Sequence, residues 1–292
     1  MKRKKKIKLF QVVNVCIMLL LIFVAAYPMY HVVMASFSDP IRLKSHTGPL
    51  IKWLGEPTLA GYERTLSNRS LFTGFKNTLF YLLVGTTIQL VLTAFGAYVL
   101  SRKSFLPRKA IMKFITFTMF FSGGLIPMFF VIRDTKIYNT IWVSSIPYAV
   151  SAFNLIIMRS FFESIPDSLE EAAVIDGAND FTVFARVIMP LSKPIIAVMI
   201  LYYGVGQWNS WFPAAMFTRD RVLYPLQMIL REILIENQSL ASDSLTQAME
   251  DTFISELVKY CTIVVSTVPI LVIYPFLQKY FEKGVMIGAV KG

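Results

Sequence analysis

Long apolar runs, each closed by a shorter polar or charged stretch, dominate the chain from residue 9 onward. A helix crossing the hydrocarbon core of a bilayer needs about 20 mainly apolar residues. Six segments meet or approach that length: 9–37, 78–100, 111–132, 140–162, 194–217 and 258–281. The pattern predicts an all-α integral membrane protein with six transmembrane helices. Segment 38–77 carries turn signals at Gly48-Pro49 and Glu56-Pro57 and separates the first helix from the rest. It divides the chain into an anchor region (1–70), a core (71–282) and a short tail (283–292). In segment 218–257, apolar residues follow Pro225 at Leu226, Ile229, Leu230, Ile233 and Leu234, which is helical spacing with one apolar face. That helix is expected to lie on the bilayer surface or to pack on the mouth of the bundle.

Composition strengthens the membrane reading. The 292 residues are 55% hydrophobic and only 16% charged, against about a quarter charged in soluble domains. The formal charge of +11 would suit nucleic acid, but the basic residues sit between apolar runs, where they orient a protein in a membrane. With the N-terminus inside, 17 Lys and Arg fall on inside segments and 12 on outside ones. Both ends are therefore expected in the cytoplasm of a multi-pass plasma-membrane protein. The leader Lys2-Arg3-Lys4-Lys5-Lys6 looks like the start of a signal peptide, with Val24-Ala25-Ala26 resembling a cleavage site. The apolar stretch runs on to Phe37, too far for an ordinary signal core, so it reads as an uncleaved first helix. Cys16 and Cys261 both lie in apolar runs and read as small buried residues. With His31 and His46 the only histidines, no metal spacing appears.

The loop 163–193 is expected on the inside, and it is more structured than a connector requires. Ser164 with Asp167 three residues on suits a capping box, and Pro166 fits a first helical turn. Asp167, Glu170 and Glu171 sit near the positive end of that helix. Gly177 suits the left-handed residue that closes it. Asp180 can cap a second helix with Phe181, Phe184 and Ile188 on one face, and Pro190 would stop it. Small Ala172 and Ala173 allow close approach of another surface, and Glu171 could meet a partner's arginine. The bland alternative is a loop that happens to be helical.

The spacing Glu171-Ala172-Ala173, then Gly177, then Val187-Ile188-Met189-Pro190 resembles the EAA loop of type I ABC importer permeases. Val187 and Met189 stand where that pattern has Ile and Leu. The resemblance covers roughly residues 71–292, including Gly123-Gly124-Leu125-Ile126-Pro127 and the tail from Gln278 to Gly292. It is similar to the smaller permease of maltose-type importers, and more narrowly to oligosaccharide or polysaccharide permeases of Gram-positive bacteria. It implies an ABC transmembrane type-1 (MetI-like) core working with a second, paralogous permease. It also implies two cytoplasmic ATPase subunits and an extracellular solute-binding lipoprotein that delivers a carbohydrate. In that family the first loop helix docks in a cleft of the ATPase, which carries over to Glu171, Ala172, Ala173, Gly177 and Pro190. The tail 283–292 would then wedge between the ATPase subunits. The chain has no G-x-x-x-x-G-K-[ST] phosphate loop and no H-E-x-x-H. It is expected to be a non-catalytic subunit that binds no cofactor, with ATP and Mg held by the partner ATPases.

Gln207-Trp208-Asn209 sits midway along the fifth predicted helix, near Gly204, Gly206 and Pro213. Polar residues at membrane depth face a bundle interior or an aqueous path. These three, with Asn154 in the fourth helix, are candidates for the substrate pathway; the competing reading is helix–helix hydrogen bonding and packing. Gly123-Gly124 and Pro127 break the third helix, as a gate or, preferably, as a packing kink. Arg159 reads as a positive-inside anchor. An ion-coupled secondary transporter is the rival class, and it should show internal repeats and buried carboxylates. No Asp or Glu lies centrally in any predicted span. A membrane-embedded transferase would need clustered catalytic carboxylates, whereas the acidic residues here gather at helix starts in the loop.

Overall fold

The uninterrupted apolar stretch near the N-terminus forms a single α-helix of 28 residues, in which the one proline, Pro28, is isolated. The structure is a computed structural model and describes residues 9–239, 254–272 and 275. In chain order the helices are α1 (Leu9–Ser36), α2 (Pro40–Ser45), α3 (Ala60–Leu66), α4 (Arg69–Ser101), α5 (Arg108–Phe120) and α6 (Leu125–Asp134). Next come α7 (Ala152–Phe162), α8 (Asp167–Ile175), α9 (Asp180–Leu191), α10 (Lys193–Trp208), α11 (Phe212–Phe217), α12 (Leu226–Ser239) and α13 (Ile254–Val272). The chain divides into two compact units, Met1–Arg69 with Leu230–Pro269, and Ser70–Ile229 with Ile270–Gly292.

In the first unit, α1 is exposed along most of its length, with Leu20, Ile22 and Phe23 more than 60% exposed. An apolar helix this bare needs lipid around it. Cys16 lies on that exposed surface, which corrects its reading as a buried residue. The packed end of the unit gathers Ala35, Leu43, Leu50, Leu257 and Cys261. Gly61 belongs there because any β-carbon would come within 2.6 Å of the Cys261 sulfur.

The second unit is built on α4, whose small Ala94 and Ala97 pack with Met158 and Phe162 of α7, Phe184 of α9, and Met199 and Tyr203 of α10. One π-turn, Tyr81–Gly85, interrupts α4, and another, Phe184–Ile188, interrupts α9. The second lies just before Pro190, which has no N–H to continue the ordinary ladder and whose ring crowds the preceding turn. Segment 222–226 is pinned to α4: the Asn77 amide donates to the carbonyls of Val222 (2.6 Å) and Tyr224 (2.9 Å), and Leu226 N–H donates to the Thr78 hydroxyl (2.8 Å). Leu226 and Ile229, on the expected apolar face of α12, are buried.

Several predicted spans are broken. Among the described residues, α1, α4 and α13 are long and apolar enough to cross a membrane; the number rises to five if each of two bent pairs counts as one span. The third predicted span is α5 plus α6, bent by 119° at 121–124, where Gly124 has φ +85°. That is a far sharper break than a packing kink. The fourth is helical only from Ala152, and its first half is a run of turns, preceded by Asn139 with φ +56°. The fifth ends at Trp208, so Gln207-Trp208-Asn209 closes a helix rather than lying at its middle. The basic leader, residues 240–253, and residues 273–274 and 276–292, with most of the last third of the sixth predicted span and the tail, lie outside the described residues.

Candidate functional site

The loop helix α8 starts at Asp167 directly after Pro166, whose extended ψ of 131° turns the chain into the helix. No side chain caps it: the Ser164 hydroxyl donates back to the Phe161 carbonyl instead, which corrects the expected capping box. Gly177 closes the helix with φ +84°, the left-handed conformation expected of it. The next helix is capped by Asn179, whose side-chain oxygen accepts from Thr182 N–H at 2.8 Å; Asp180 is already helical. Pro190 lies inside the last turn of α9 and is exposed, so the stop falls two residues later, at Ser192. From there α10 leaves at 82°.

The three acids of α8 have different surroundings. Asp167 accepts from Lys103 Nζ at 2.6 Å, and the ammonium holds its carboxyl below the usual carboxylate range, first by that hydrogen bond and then by its charge. Glu170 forms an ion pair with Arg102, the residue that ends α4, with the two side chains only 22% and 15% exposed. The Arg102 guanidinium also stacks on the Tyr98 ring at 4.8 Å, and the Tyr98 hydroxyl donates to Glu170 Oε1 at 3.4 Å. Burial pulls Arg102 below its ordinary value. Glu171 is exposed and has no ion-pair or hydrogen-bond partner among the described residues. Exposed Val174 and Ile175 follow it, 53% and 86% exposed. Ala172 is exposed and Ala173 half-buried. Between α8 and Ser101–Ser104 lies an open cavity of about 620 Å³. Two acids thus hold the helix to α4, while the third stands free beside apolar side chains. Sequence reasoning missed Arg102 and Glu170 as a pair, although a basic residue directly after a span and an acid at a helix start were both visible.

A second site lies within the same unit. Asn154 and Gln207, 53 positions apart in sequence, line one cavity of about 290 Å³ together with Gln89, Ser144, Tyr148 and Tyr203. The Gln207 amide donates to the Ser144 carbonyl at 3.2 Å and the Gln89 amide to the Tyr148 carbonyl at 3.0 Å. Both amide oxygens remain buried and unpaired, an arrangement that costs about 1–3 kcal/mol for each such group. The Tyr203 hydroxyl pairs with Thr93 at 2.6 Å and accepts from Ser151 N–H. Gly85 allows the close approach of Gln207, because a β-carbon there would sit 2.8 Å from its amide nitrogen. Trp208 and Asn209 are not part of this cavity. Trp208 is buried edge-on to Phe75 and lines an apolar groove with Leu82, Ile200 and Gly204. Asn209 ends α10 with its amide on the Val205 carbonyl at 2.9 Å. The sequence signal for Gln89 was a polar residue deep in an apolar run, of the same kind that singled out Gln207.

With this geometry in view, the comparisons with known proteins are specific. Residues 89–286 match the family of binding-protein-dependent transport system inner membrane components. The chain belongs to this family. Among its relatives is the polygalacturonan/rhamnogalacturonan transport system permease protein YtcP of Bacillus subtilis, 36% identical over 98% of this chain and 100% of that protein. Protein LplC of the same organism is 40% identical over 80% of this chain and 79% of its own length. The fold matches a chain from a crystal structure of a bacterial ABC transporter involved in the import of the acidic polysaccharide alginate. There the TM-score is 0.85 and the identity 30%, over 96% of this chain and 99% of that one. The all-helical fold with its apolar spans is thus that of a multi-pass ABC permease.

Proposed function

We propose that this chain is one of two permease subunits of an ATP-driven importer for a carbohydrate, an oligosaccharide or a fragment of a polysaccharide. A second permease completes the pathway, an extracellular binding protein delivers the substrate, and two ATPase subunits holding ATP and Mg supply the energy. The relatives named above support the substrate class. The observation that carries the coupling role is the division of labour on α8. A helix held by Asp167 and Glu170 and presenting an unpaired Glu171 beside Ala172, Val174 and Ile175 is shaped to be received by another protein. Its partner offers a basic residue for Glu171 and an apolar cleft. Gly177 sets the angle at which the helix is presented, and Pro190 belongs to the bend that returns the chain to α10. Asn154 and Gln207 contribute to the substrate pathway, with Trp208 and Asn209 shaping the helix end next to it.

The topology we infer has six crossings and both ends inside, with the two bent pairs and the segment around α7 each counted as one crossing. Single cysteines at Ser104 and Ser168 are then shielded from an impermeant thiol reagent in whole cells, and one at Ser239 is labelled. Labelling at Ser168 from outside would invert the arrangement.

The coupling role is tested with Glu171→Lys and Gly177→Val. The first places a like charge against the partner's basic residue, and the second opposes a positive φ that a β-branched residue does not tolerate. Both variants reach the membrane at normal levels and lose co-purification of the ATPase, whereas Ser168→Ala behaves as the parent. Undiminished association and sugar uptake in both would reduce the loop to a connector.

A further inference from the structure

Residues 102–113, which join α4 to α5, hold five cations, Arg102, Lys103, Arg108, Lys109 and Lys113, and no acid. The first two are engaged: Arg102 pairs with Glu170 and Lys103 with Asp167. Glu163, whose charge reaches Arg102, is taken by Arg159. Arg108, Lys109 and Lys113 have no ion-pair or hydrogen-bond partner among the described residues. The connection also projects Leu106, 91% exposed, among these cations. Helix α5 has no buried residue. Its half-buried residues, Arg108, Met112 and Ile115, fall at helical spacing and mark the face turned to its neighbours α4 and α7. The opposite side is bare. Lys109 and Lys113 begin it, one turn apart, and Phe117 and Phe120 continue it, 53% and 77% exposed. Phe121 stacks on Phe117 with ring centroids 4.4 Å apart. From Lys113 to Phe117 the face passes from charge to hydrocarbon within about 6 Å along the axis.

We propose that this face of α5 seats an anionic phospholipid of the inner leaflet, with the phosphate between Lys109 and Lys113 and an acyl chain along Phe117 and Phe120. The order of the side chains repeats the order of the bilayer, a charged layer followed by hydrocarbon. One lipid molecule supplies both parts in that order. A protein covering would have to bring acids to two neighbouring lysines and an apolar surface to the next two turns. Lysine suits the use, because its hydrated ammonium rides on a flexible apolar stem that reaches the phosphate layer from a helix in the hydrocarbon. Basic loops orient a protein whatever the headgroup; a seat requires in addition that one headgroup be preferred at one place. Each lysine near an anionic lipid surface favours it by about fivefold in affinity. The seat requires that 102–107 lie inside, as inferred above.

The test places the whole transporter in phosphatidylcholine nanodiscs doped with a trace of photoreactive lipid. The reactive diazirine sits midway along one acyl chain, under either a phosphatidylglycerol or a phosphatidylcholine headgroup, and labelled peptides are mapped by mass spectrometry. Phosphatidylglycerol labels residues 114–121 about twentyfold more than phosphatidylcholine, as two lysines acting together require. That preference falls about fivefold in Lys109→Gln and disappears when Lys113→Gln is added, whereas Lys109→Arg with Lys113→Arg keeps it. High salt narrows it. Both lysines are exposed and unpaired, so these variants keep the fold, which a monodisperse elution profile checks. Three results would overturn the seat: equal labelling by the two lipids, a preference that survives the double glutamine variant, or no label on 114–121 from either lipid. The first and third need only the parent protein. In the third case, cross-linking of a photoreactive analogue at Phe117 to the second permease identifies a protein covering in place of the lipid. The single cysteine at Ser104 reports separately on orientation. Reagent labelling there from outside removes the topology; a shielded Ser104 with equal lipid labelling removes the seat alone.

Discussion

The loop helix α8 and the amide-lined cavity both lean on α4, and they are built by opposite electrostatic means. Within the helix, Gln89 meets other neutral amides in the cavity; just past its C-terminal end, Arg102 and Lys103 meet carboxylates. Gln89 and Arg102 are 13 residues apart, about 20 Å along a helix. Charge is affordable where α4 leaves the apolar region, because water and counter-charges are at hand. Inside the apolar run a charge would be expensive, so recognition is left to groups that carry dipoles only. The difference also separates two kinds of robustness. The ionic end is held by pairs that can be broken and rebuilt one at a time, whereas the cavity depends on close packing around Gly85 and Tyr203, which admits no added atom.

Four measurements bear on that contrast, from the largest expected effect to the smallest. Arg102→Ala leaves Glu170 half-buried without its cation. We expect about 1–3 kcal/mol of lost stability in α8, since removing one partner of a fully buried pair costs more and of an exposed pair less. Hydrogen exchange at the α8 amides reads this directly. Combining Arg102→Glu with Glu170→Arg restores part of the protection, and failure of any restoration would mean that packing, not charge, holds the helix. Gly85→Ala brings a β-carbon within 2.8 Å of the Gln207 amide and 2.9 Å of the Ser145 hydroxyl. Overpacking of this kind costs about 1–3 kcal/mol, seen as a lower Tm of the purified complex with α8 exchange unchanged. If α8 loosens as well, the middle and the C-terminal end of α4 are not independent.

Tyr203→Phe removes the 2.6 Å bond to Thr93 and leaves that hydroxyl without its buried partner. About 1–2 kcal/mol is expected, and the loss is smaller if Thr93→Val accompanies it, because the orphaned Thr93 hydroxyl is then removed and only the Ser151 N–H lacks its acceptor. Lys103→Ala should leave Tm unchanged, because its pair with Asp167 is exposed to solvent. The trace of that pair is in pH. The Asp167 carboxyl is held low by Lys103, so its contribution is complete above the ordinary carboxylate value, about 4, and fades as pH falls through the lower folded value. Protection at the start of α8 is therefore level from neutral pH to about 5 and declines only in stronger acid. Lys103→Ala moves that decline to higher pH. An unshifted decline would assign the low value to the helix end instead.

Sequence alone established the class of protein and the position of its loop helix. Apolar runs of spanning length require a lipid surround whatever their arrangement, so the membrane reading needs no tertiary information. Gly177 was legible because a helix ending in a left-handed residue favours glycine for local steric reasons. Some of what failed was local and close in energy. Ser164 was read as a cap, but its hydroxyl finds the Phe161 carbonyl, and Asn179 caps where Asp180 was expected. Such choices differ by little energy and are settled by which neighbour is nearer. Hydropathy also treats 111–132 and 194–217 as continuous, because it counts apolar residues and does not register the turn at Gly124 or the helix end at Trp208. Only the folded chain brings Asn154 to Gln207 and Arg102 to Glu170. Those pairings are separated by dozens of residues and are set by helix packing around Ala94 and Ala97, which no local pattern records.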